Sequence, residues 1–161
     1  MHGADNQENG SLAMRHSAGF QKQGRGSVAL GFQAGQLDKL NGSIAIGFAV
    51  GTQQQGYTSV AIGNQCAYEQ QGNESVAIGY KTCELGGQGD NSVAVGSYAG
   101  HNTQGENSAA IDRNAGRTDQ GASCIALGYG AATSAQPSGS FFVGTGCVRD
   151  SASVANPRAP L

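Results

Sequence analysis

Three histidines and four cysteines are the residues of this chain that could support catalysis or bind a metal. His2, His16 and His101 are far apart in sequence, and no Ser-His-Asp arrangement accompanies them. The cysteines show neither CxxC spacing nor a companion histidine at zinc-ligand spacing. They are Cys66, Cys83, Cys124 and Cys147. We therefore expect no enzymatic activity, no metal site and no cofactor.

Three other side chains are candidates for contact with a partner. Tyr57 and Tyr68 are aromatic residues of the kind that favours recognition. Arg113, beside Asp112, interrupts the repeat described below. For the tyrosines, packing between subunits is an equally good explanation, and for Arg113 a tolerated variation or a contact with a neighbouring subunit is the alternative.

Composition excludes several functional classes. The chain has 161 residues, a formal charge of -2 and only 12% charged residues, so it lacks the basic surface that nucleic acid or an anionic membrane requires. It contains no run of about 18 apolar residues, so we expect no membrane insertion. With 27 glycines and 6% aromatic residues, it cannot form an ordinary core of large side chains.

An internal repeat shows what orders the chain instead. A serine, replaced once by cysteine, recurs every 16 residues, with a single spacing of 17. Each one opens a short block such as SVAIG, rich in β-branched residues that alternate with period two. The nine equivalent residues are Ser11, Ser27, Ser43, Ser59, Ser75, Ser92, Ser108, Cys124 and Ser140. We number the positions of each coil from this residue.

The strand block carries a large apolar residue at positions 2 and 4 and alanine at position 3 in eight of nine coils. We expect both faces of the strand to be buried. Alanine indicates a face that another chain approaches too closely for a larger residue. Phe142, the exception, should lie where the rod ends. The central alanines are Ala29, Ala45, Ala61, Ala77 and Ala94.

Glycine and glutamine mark the rest of the coil. Position 5 is glycine in seven coils, including Gly47, Gly63 and Gly79, which indicates a positive φ or a close backbone approach. The small residues at positions 8 and 9 predict a second short strand. Position 13 is glutamine in seven coils, and stacked amides predict a ladder between coils. Its members include Gln55, Gln71, Gln104 and Gln120.

These patterns predict an all-β fold, a parallel β-solenoid of nine 16-residue coils. The extra residue falls at 85–87, which we interpret as a bulge in a loop. The predicted organisation is a polar N-terminal segment at 1–10, a repeat domain at 11–155 and a C-terminal tail at 156–161. Cys66 and Cys83 are expected to remain unpaired, because positions 8 and 9 should face opposite sides of the coil.

The SVAIG blocks, followed by Ala-Gly and a Gln-Gly turn, resemble the head repeats of trimeric autotransporter adhesins of the YadA-like type over residues 11–148. Similar repeats occur in fibre and surface proteins of phages and large DNA viruses. The resemblance implies a left-handed β-roll, a homotrimer with the SVAIG strands facing inward, and outer loops that bind host surfaces.

We therefore expect a structural and adhesive module of a virion fibre or surface protein, displayed on a virion or cell surface. Its partners would be copies of itself and a host receptor or other structural proteins. Four cysteines favour a virion protein made in a reducing cytoplasm over an exported bacterial adhesin head, which is the alternative. An ice-binding solenoid would need a regular threonine column, and the threonines are scattered. The 16-residue period disfavours a hexapeptide-repeat acyltransferase.

Overall fold

The computed structural model of the protein describes residues 7–38 and 40–145. These residues form an all-β parallel solenoid that contains no helix. Gln7 already forms a parallel bridge with Gln23, so pairing between coils begins within the segment predicted to precede the repeat. The predicted tail at 156–161 lies outside the described residues.

The first sheet confirms the strand prediction. Nine short parallel strands pair in the order of the chain, and each residue pairs with its equivalent in the next coil, as Ala45 does with Ala61. The eight steps between the nine strands make about eight complete turns. The strands are β1 Leu12–Met14, β2 Val28–Leu30, β3 Ile44–Phe48, β5 Val60–Asn64, β7 Val76–Tyr80, β9 Val93–Val95, β11 Ala109–Ile111, β13 Ile125–Leu127 and β14 Phe141–Val143.

A second sheet of five parallel strands forms at the glutamine column. It was predicted at positions 8 and 9, and that prediction is wrong. Those positions form a turn in which Gln65, Ala67, Lys81 and Cys83 all have positive φ, between 47° and 52°, and such alternation cannot extend as a strand. The strands are β4 Gln54–Gln55, β6 Gln70–Gln71, β8 Leu85–Gln88, β10 Asn102–Gln104 and β12 Thr118–Gln120.

The alanine column fills the interior of the coil, which corrects the expected orientation of the strand. Ala29, Ala45, Ala61, Ala77 and Ala94 are fully buried by their own chain. The larger residues at positions 2 and 4 point outward, and none of them is buried. Position 3 is therefore small because the two sides of a thin coil meet there, and no second chain is needed to explain it. Only one face of the strand is buried within the chain.

Glycine at position 5 meets both predicted requirements. Gly47, Gly63 and Gly79 have φ of 135°, 145° and 140°. A Cβ on Gly47 would lie 1.7 Å from the carbonyl oxygen of Gly63 in the next coil, and one on Gly63 would lie 1.9 Å from that of Gly79. Because the clash is with backbone, these three coils require glycine here, whereas Arg15 and Asp112 occupy the position with smaller φ values of 100° and 97°.

Six of the seven buried glutamines of position 13 act mainly as a strut across their own coil, and the seventh, Gln136, donates to the Ala132 carbonyl instead. The Nε2 group of Gln71 donates to the Val60 carbonyl at 2.8 Å, and that of Gln104 donates to the Val93 carbonyl at 2.9 Å. The predicted amide ladder also forms where Gln71 donates to Gln88 and Gln88 donates to Gln104, both at 3.2 Å. The column thus links the two sheets and, at these rungs, neighbouring coils. Gln55 and Gln120 make the same cross-coil bond to Ile44 and Ala109.

The extra residue forms a bulge within a strand rather than in a loop, and the unusual phenylalanine lies on the last described strand of the first sheet. Gly86 and Gly87, both with positive φ, lie in β8, where the register shifts between Leu85–Asn102 and Gln88–Gln104. Phe142 lies on β14, the last strand of the first sheet, where it pairs with Ala126 and is 8% exposed. Its ring therefore fills the end of the described interior.

Cys66 and Cys83 are both fully buried and unpaired. The expectation that positions 8 and 9 face opposite sides is wrong, because both side chains point into the coil. Burial raises the pKa of the Cys66 thiol from 9.0 to about 12. Burial, and then the nearby Cys66, raises the pKa of Cys83 well above its ordinary value. Both thiol side chains therefore pack the interior of the coil. Cys147 lies outside the described residues.

The interior position of Ala77 gives a first prediction. Ala77→Phe should lower the free energy of unfolding by about 1–3 kcal/mol or more, because the ring overpacks a closed coil. Asn64→Phe is the matched control, since Asn64 is exposed and pairs with Phe48 and Tyr80 in neighbouring strands. Urea unfolding followed by circular dichroism measures both. Equal stability of the two variants would contradict the assigned orientation.

The buried thiols give a second prediction, for alkaline pH. Their raised pKa values mean that the folded chain keeps thiol protons that the unfolded chain loses above about pH 9. The stabilisation is complete below that pH, and the free energy of unfolding should fall by about 1.4 kcal/mol per pH unit for each thiol as the pH rises towards the folded pKa. Urea unfolding between pH 8 and pH 11 measures this slope.

Cys66→Ala provides the comparison, because alanine occupies the same position in other coils, as Ala34 and Ala99 do. The variant should lose stability less steeply above pH 9 than the wild type. An identical alkaline slope in both proteins would show that Cys66 is not titrating from a buried state.

Candidate interaction surfaces

The outer side of the first sheet is an apolar surface that its own chain does not cover. Positions 2 and 4 of all nine strands are apolar, and every one is partly or fully exposed. Exposure is greatest at the ends, where Met14 is 57% and Phe141 is 68% accessible. These columns hold Leu12, Val28, Ile44, Val60, Val76, Val93, Ala109, Ile125 and Phe141, and Met14, Leu30, Ile46, Ile62, Ile78, Val95, Ile111, Leu127 and Val143.

A third column widens this surface. Because alternate residues of a strand share a face, position 6 lies on the same side as positions 2 and 4. His16 stacks on Phe32 with ring centroids 5.7 Å apart, and Phe32 stacks on Phe48 at 5.4 Å. Tyr80 and Tyr129 occupy the same column and are exposed. We call positions 2, 4 and 6 of the nine coils the outer apolar face, in which position 6 also carries the polar residues Asn64, Ser97 and Arg113.

The outer apolar face is large for a surface exposed to water. Eight steps of about 4.8 Å along the rod and four residues of about 3.3 Å across it give a projected area of about 500 Å². Positions 2 and 4 carry no charged side chain at any coil. Continuous apolar surfaces of this size are typical of interaction sites.

Arg113 lies at the edge of this face, in column 6. Its guanidinium carbon lies 5.8 Å from the ring centroid of Tyr129 in the next coil. Its backbone amide donates to the Asp112 carboxylate at 2.6 Å, and Asp112 takes the place of the position-5 glycine with a φ of 97°. Asp112 and Arg113 thus form a local structural unit, with the guanidinium group exposed.

A charged and aromatic cluster lies on the turn side of the rod, and the sequence reasoning did not identify it. The Lys81 ammonium lies 3.0 Å from Oε1 of Glu84, and this hydrogen bond raises the pKa of Lys81. Nδ1 of His101 lies 3.6 Å from Oε2 of Glu84 and 3.0 Å from the Lys81 carbonyl oxygen. Tyr98 packs edge-on against His101, and Arg117 lies over Tyr98 at 5.5 Å. The side chains of this cluster thus contact one another across successive coils.

The outer side of the second sheet carries a groove that the sequence reasoning also missed. Its volume is about 560 Å³, and it crosses five coils between two columns of side chains. Position 12 forms one wall and position 15 the other, while position 14 forms the floor with Gly56, Gly72 and Leu40. We call it the polar groove. It is lined by Lys22, Asp38, Leu40, Gln54, Gln55, Gly56, Gln70, Gln71, Gly72, Asn73, Gln88 and Asp90.

The three side chains predicted to contact a partner lie in three different columns. Tyr57 is at position 15, in the column that walls the polar groove, and is 50% exposed. Tyr68 is at position 10 and is 37% exposed. Arg113 lies three coils further along the rod from Tyr68, on the outer apolar face. They are accessible but do not form a single patch, and their role stays a prediction.

Within the described part of the chain, no group of three or more histidine, cysteine, aspartate or glutamate residues converges as a metal site would require. The same residues include no helix of the length and hydropathy needed to cross a membrane. Comparison with known proteins finds no matching family model, no matching curated protein and no matching solved structure.

Proposed function

We propose that the chain is a non-enzymatic structural and adhesive module, a homotrimeric β-solenoid of a virion fibre or surface protein that mediates attachment to a host or to other structural proteins. The observation that carries this proposal is the outer apolar face. It has the repeat of the rod itself, runs along its whole described length and has no covering element among the described residues.

A second copy of the same chain is the occupant that this face fits best. Two identical ladders share one step of about 4.8 Å, so the ridges of one copy can lie between those of another along the whole contact. The face carries no charge at positions 2 and 4 with which to select a charged partner. Closed symmetric assembly would cover every copy of the face equally. Threefold symmetry comes from the resemblance to adhesin heads.

Energetics also favours self-association. The interior consists largely of alanine, glutamine, serine and cysteine, while the valines, isoleucines and leucines of the strand blocks lie outside. Burying about 400 Å² of apolar surface per chain contributes about 10 kcal/mol at 25 cal/mol per Å². The loss of translational and rotational freedom on association costs about 4 kcal/mol at the lower end of current values, so this burial can offset it. Folding and association should therefore be coupled.

The attachment role has separate support. A rigid rod with polar turns on one side and a polar groove on the other displays side chains at a fixed spacing, as an adhesive surface requires. A bacterial adhesin head remains the alternative source of such a module. Ice binding has less support, because Thr52 and Thr82 are buried and cannot belong to a flat exposed threonine column.

Self-association gives a third prediction. The wild-type chain at micromolar concentration should sediment at three times 16.2 kDa, the mass of one chain. Ile62→Asp, at the centre of the outer apolar face, should shift it to a lower mass, because a buried unpaired carboxylate is costly. Gln70→Asp is the matched control, since it lies on the exposed outer side of the second sheet in the same coil. That variant should keep the wild-type mass.

A stable, folded wild-type monomer would overturn self-association. A folded dimer would overturn only the threefold symmetry. Loss of association in Gln70→Asp but not in Ile62→Asp would place the interface on the second sheet and would contradict the role of the outer apolar face.

Attachment gives a fourth prediction. Alanine in place of Tyr57, Tyr68 or Arg113 should weaken binding of the protein to host cells, because each side chain is exposed on the monomer, and should leave the mass in sedimentation unchanged. Mass spectrometry of purified virus particles should detect the chain among the structural proteins. Its absence from particles would contradict the virion assignment, and unchanged binding by all three variants would contradict the predicted contacts.

A further inference from the structure

The floor of the polar groove has no backbone groups left for a ligand. The amides of Gly56, Gly72 and Gly89 donate to carbonyls of the next coil at 2.9, 2.8 and 2.8 Å. A Cβ on Gly56 would lie 2.5 Å from the carbonyl carbon of Gly72, so this part of the floor stays free of side chains, whereas Leu40 places one in the same column one coil earlier. A ligand in the groove must therefore bond the side chains of its walls.

The wall at position 12 offers paired donors and acceptors. The Nε2 group of Gln70 donates to Oε1 of Gln54 at 3.4 Å, and both residues are exposed. Among the described residues, neither Nε2 of Gln54 nor Oε1 of Gln70 has a hydrogen-bond partner. The pair thus presents one free donor and one free acceptor side by side, an arrangement that a hydroxyl group, which donates and accepts, can satisfy at both ends.

The wall at position 15 is held rigid by hydrogen bonds and is flanked by an aromatic residue. Oδ1 of Asn73 accepts from the Tyr57 amide at 2.9 Å, and the Asn73 side-chain amide donates to Asp90 at 3.2 Å. The backbone amide of Asn73 also donates to Asp90, at 2.7 Å. Tyr57 is half-exposed in the same column one coil earlier, beside the groove rather than among its lining residues. An aromatic face that flanks planar amides suits the apolar and hydroxylated sides of a sugar ring.

We propose that the polar groove binds an extended, neutral oligosaccharide lying parallel to the rod. The groove crosses about four coil steps of about 4.8 Å, a step close to the length of one sugar in an extended β-linked chain. Each sugar would therefore meet the next coil in a similar position. This assignment rests on the attachment role proposed above and is independent of the trimer.

Charge and backbone pairing distinguish this ligand from others. Among the described residues that line the groove, one side chain is cationic, Lys22, and two are acidic, Asp38 and Asp90, so an anionic polysaccharide would meet net repulsion from them. An extended peptide gains affinity by adding backbone hydrogen bonds to a free strand edge. The strands beneath the groove are already paired on the coils that line it, so a peptide would gain none there.

Isothermal titration calorimetry on the full chain tests the assignment. The neutral probes are cellohexaose and chitohexaose, and oligogalacturonate is the anionic comparison. We expect a neutral probe to bind, and the double variant Gln54→Ala/Gln70→Ala to raise its Kd about tenfold, the effect of losing two neutral hydrogen bonds. Tyr57→Ala should also weaken binding. Thr103→Ala, which is exposed at position 12 beyond the groove, should leave Kd unchanged.

Each other outcome overturns the proposal. No heat with either neutral probe at millimolar concentration would exclude the assigned ligand. Equal weakening by Thr103→Ala and by the glutamine variants would place binding outside the groove. Binding of oligogalacturonate, or of an extended glutamine-rich peptide, with none of the neutral sugars would assign the groove to another ligand. Sedimentation of the same samples measures the oligomeric state, so that loss of sugar binding can be distinguished from loss of the trimer.

Discussion

Hydrogen bonding between successive coils is the constraint on which the rest of this structure depends. Each coil must repeat the backbone path of the one before it, at the spacing of paired strands, or the bonds of both sheets are lost together. Position 5 shows how strict this is, because a single Cβ on Gly47 would meet the carbonyl oxygen of Gly63 at 1.7 Å. The sixteen-residue period of the sequence is the direct consequence.

The coil is thin because of the same constraint, and its small thickness explains why polar residues occupy the interior. With alanine at position 3 facing small residues at positions 8 and 9, the two sides of the coil are close enough for one glutamine to span them. A glutamine that bonds a backbone carbonyl on the opposite side stabilises the closed coil without needing a large core. The hydrophobic side chains that a thicker protein would bury are displaced to the outer apolar face.

The period, the strands of the first sheet, the position-5 glycines and the bulge at 85–87 could be predicted, because each is a local pattern that recurs in register. The side of the strand that faces inward could not. Alternation of Val76, Ala77 and Ile78 shows that two faces differ, but burial is decided by the thickness of the coil, which depends on the residues at positions 8 to 13 of the coil. The second strand was misplaced for a related reason, since small size at Cys66 and Ala67 reflects a left-handed turn rather than a pleat. The polar groove escaped prediction because its walls come from five different coils.

The alanines of the first sheet face the interior of the coil and the larger apolar residues face outward, and this orientation favours oligomerisation more strongly than the expected one. An alanine face against a partner would offer little apolar surface, and the closed interior leaves no such face to cover. Valine, isoleucine and leucine at positions 2 and 4, with the stacked rings of His16, Phe32 and Phe48 beside them, offer far more area per coil. Every added coil extends this face by the same increment, whereas the entropy lost on association is incurred once. The length of the solenoid and the stability of its assembly are therefore coupled, so a repeat of this kind favours long rods over isolated coils.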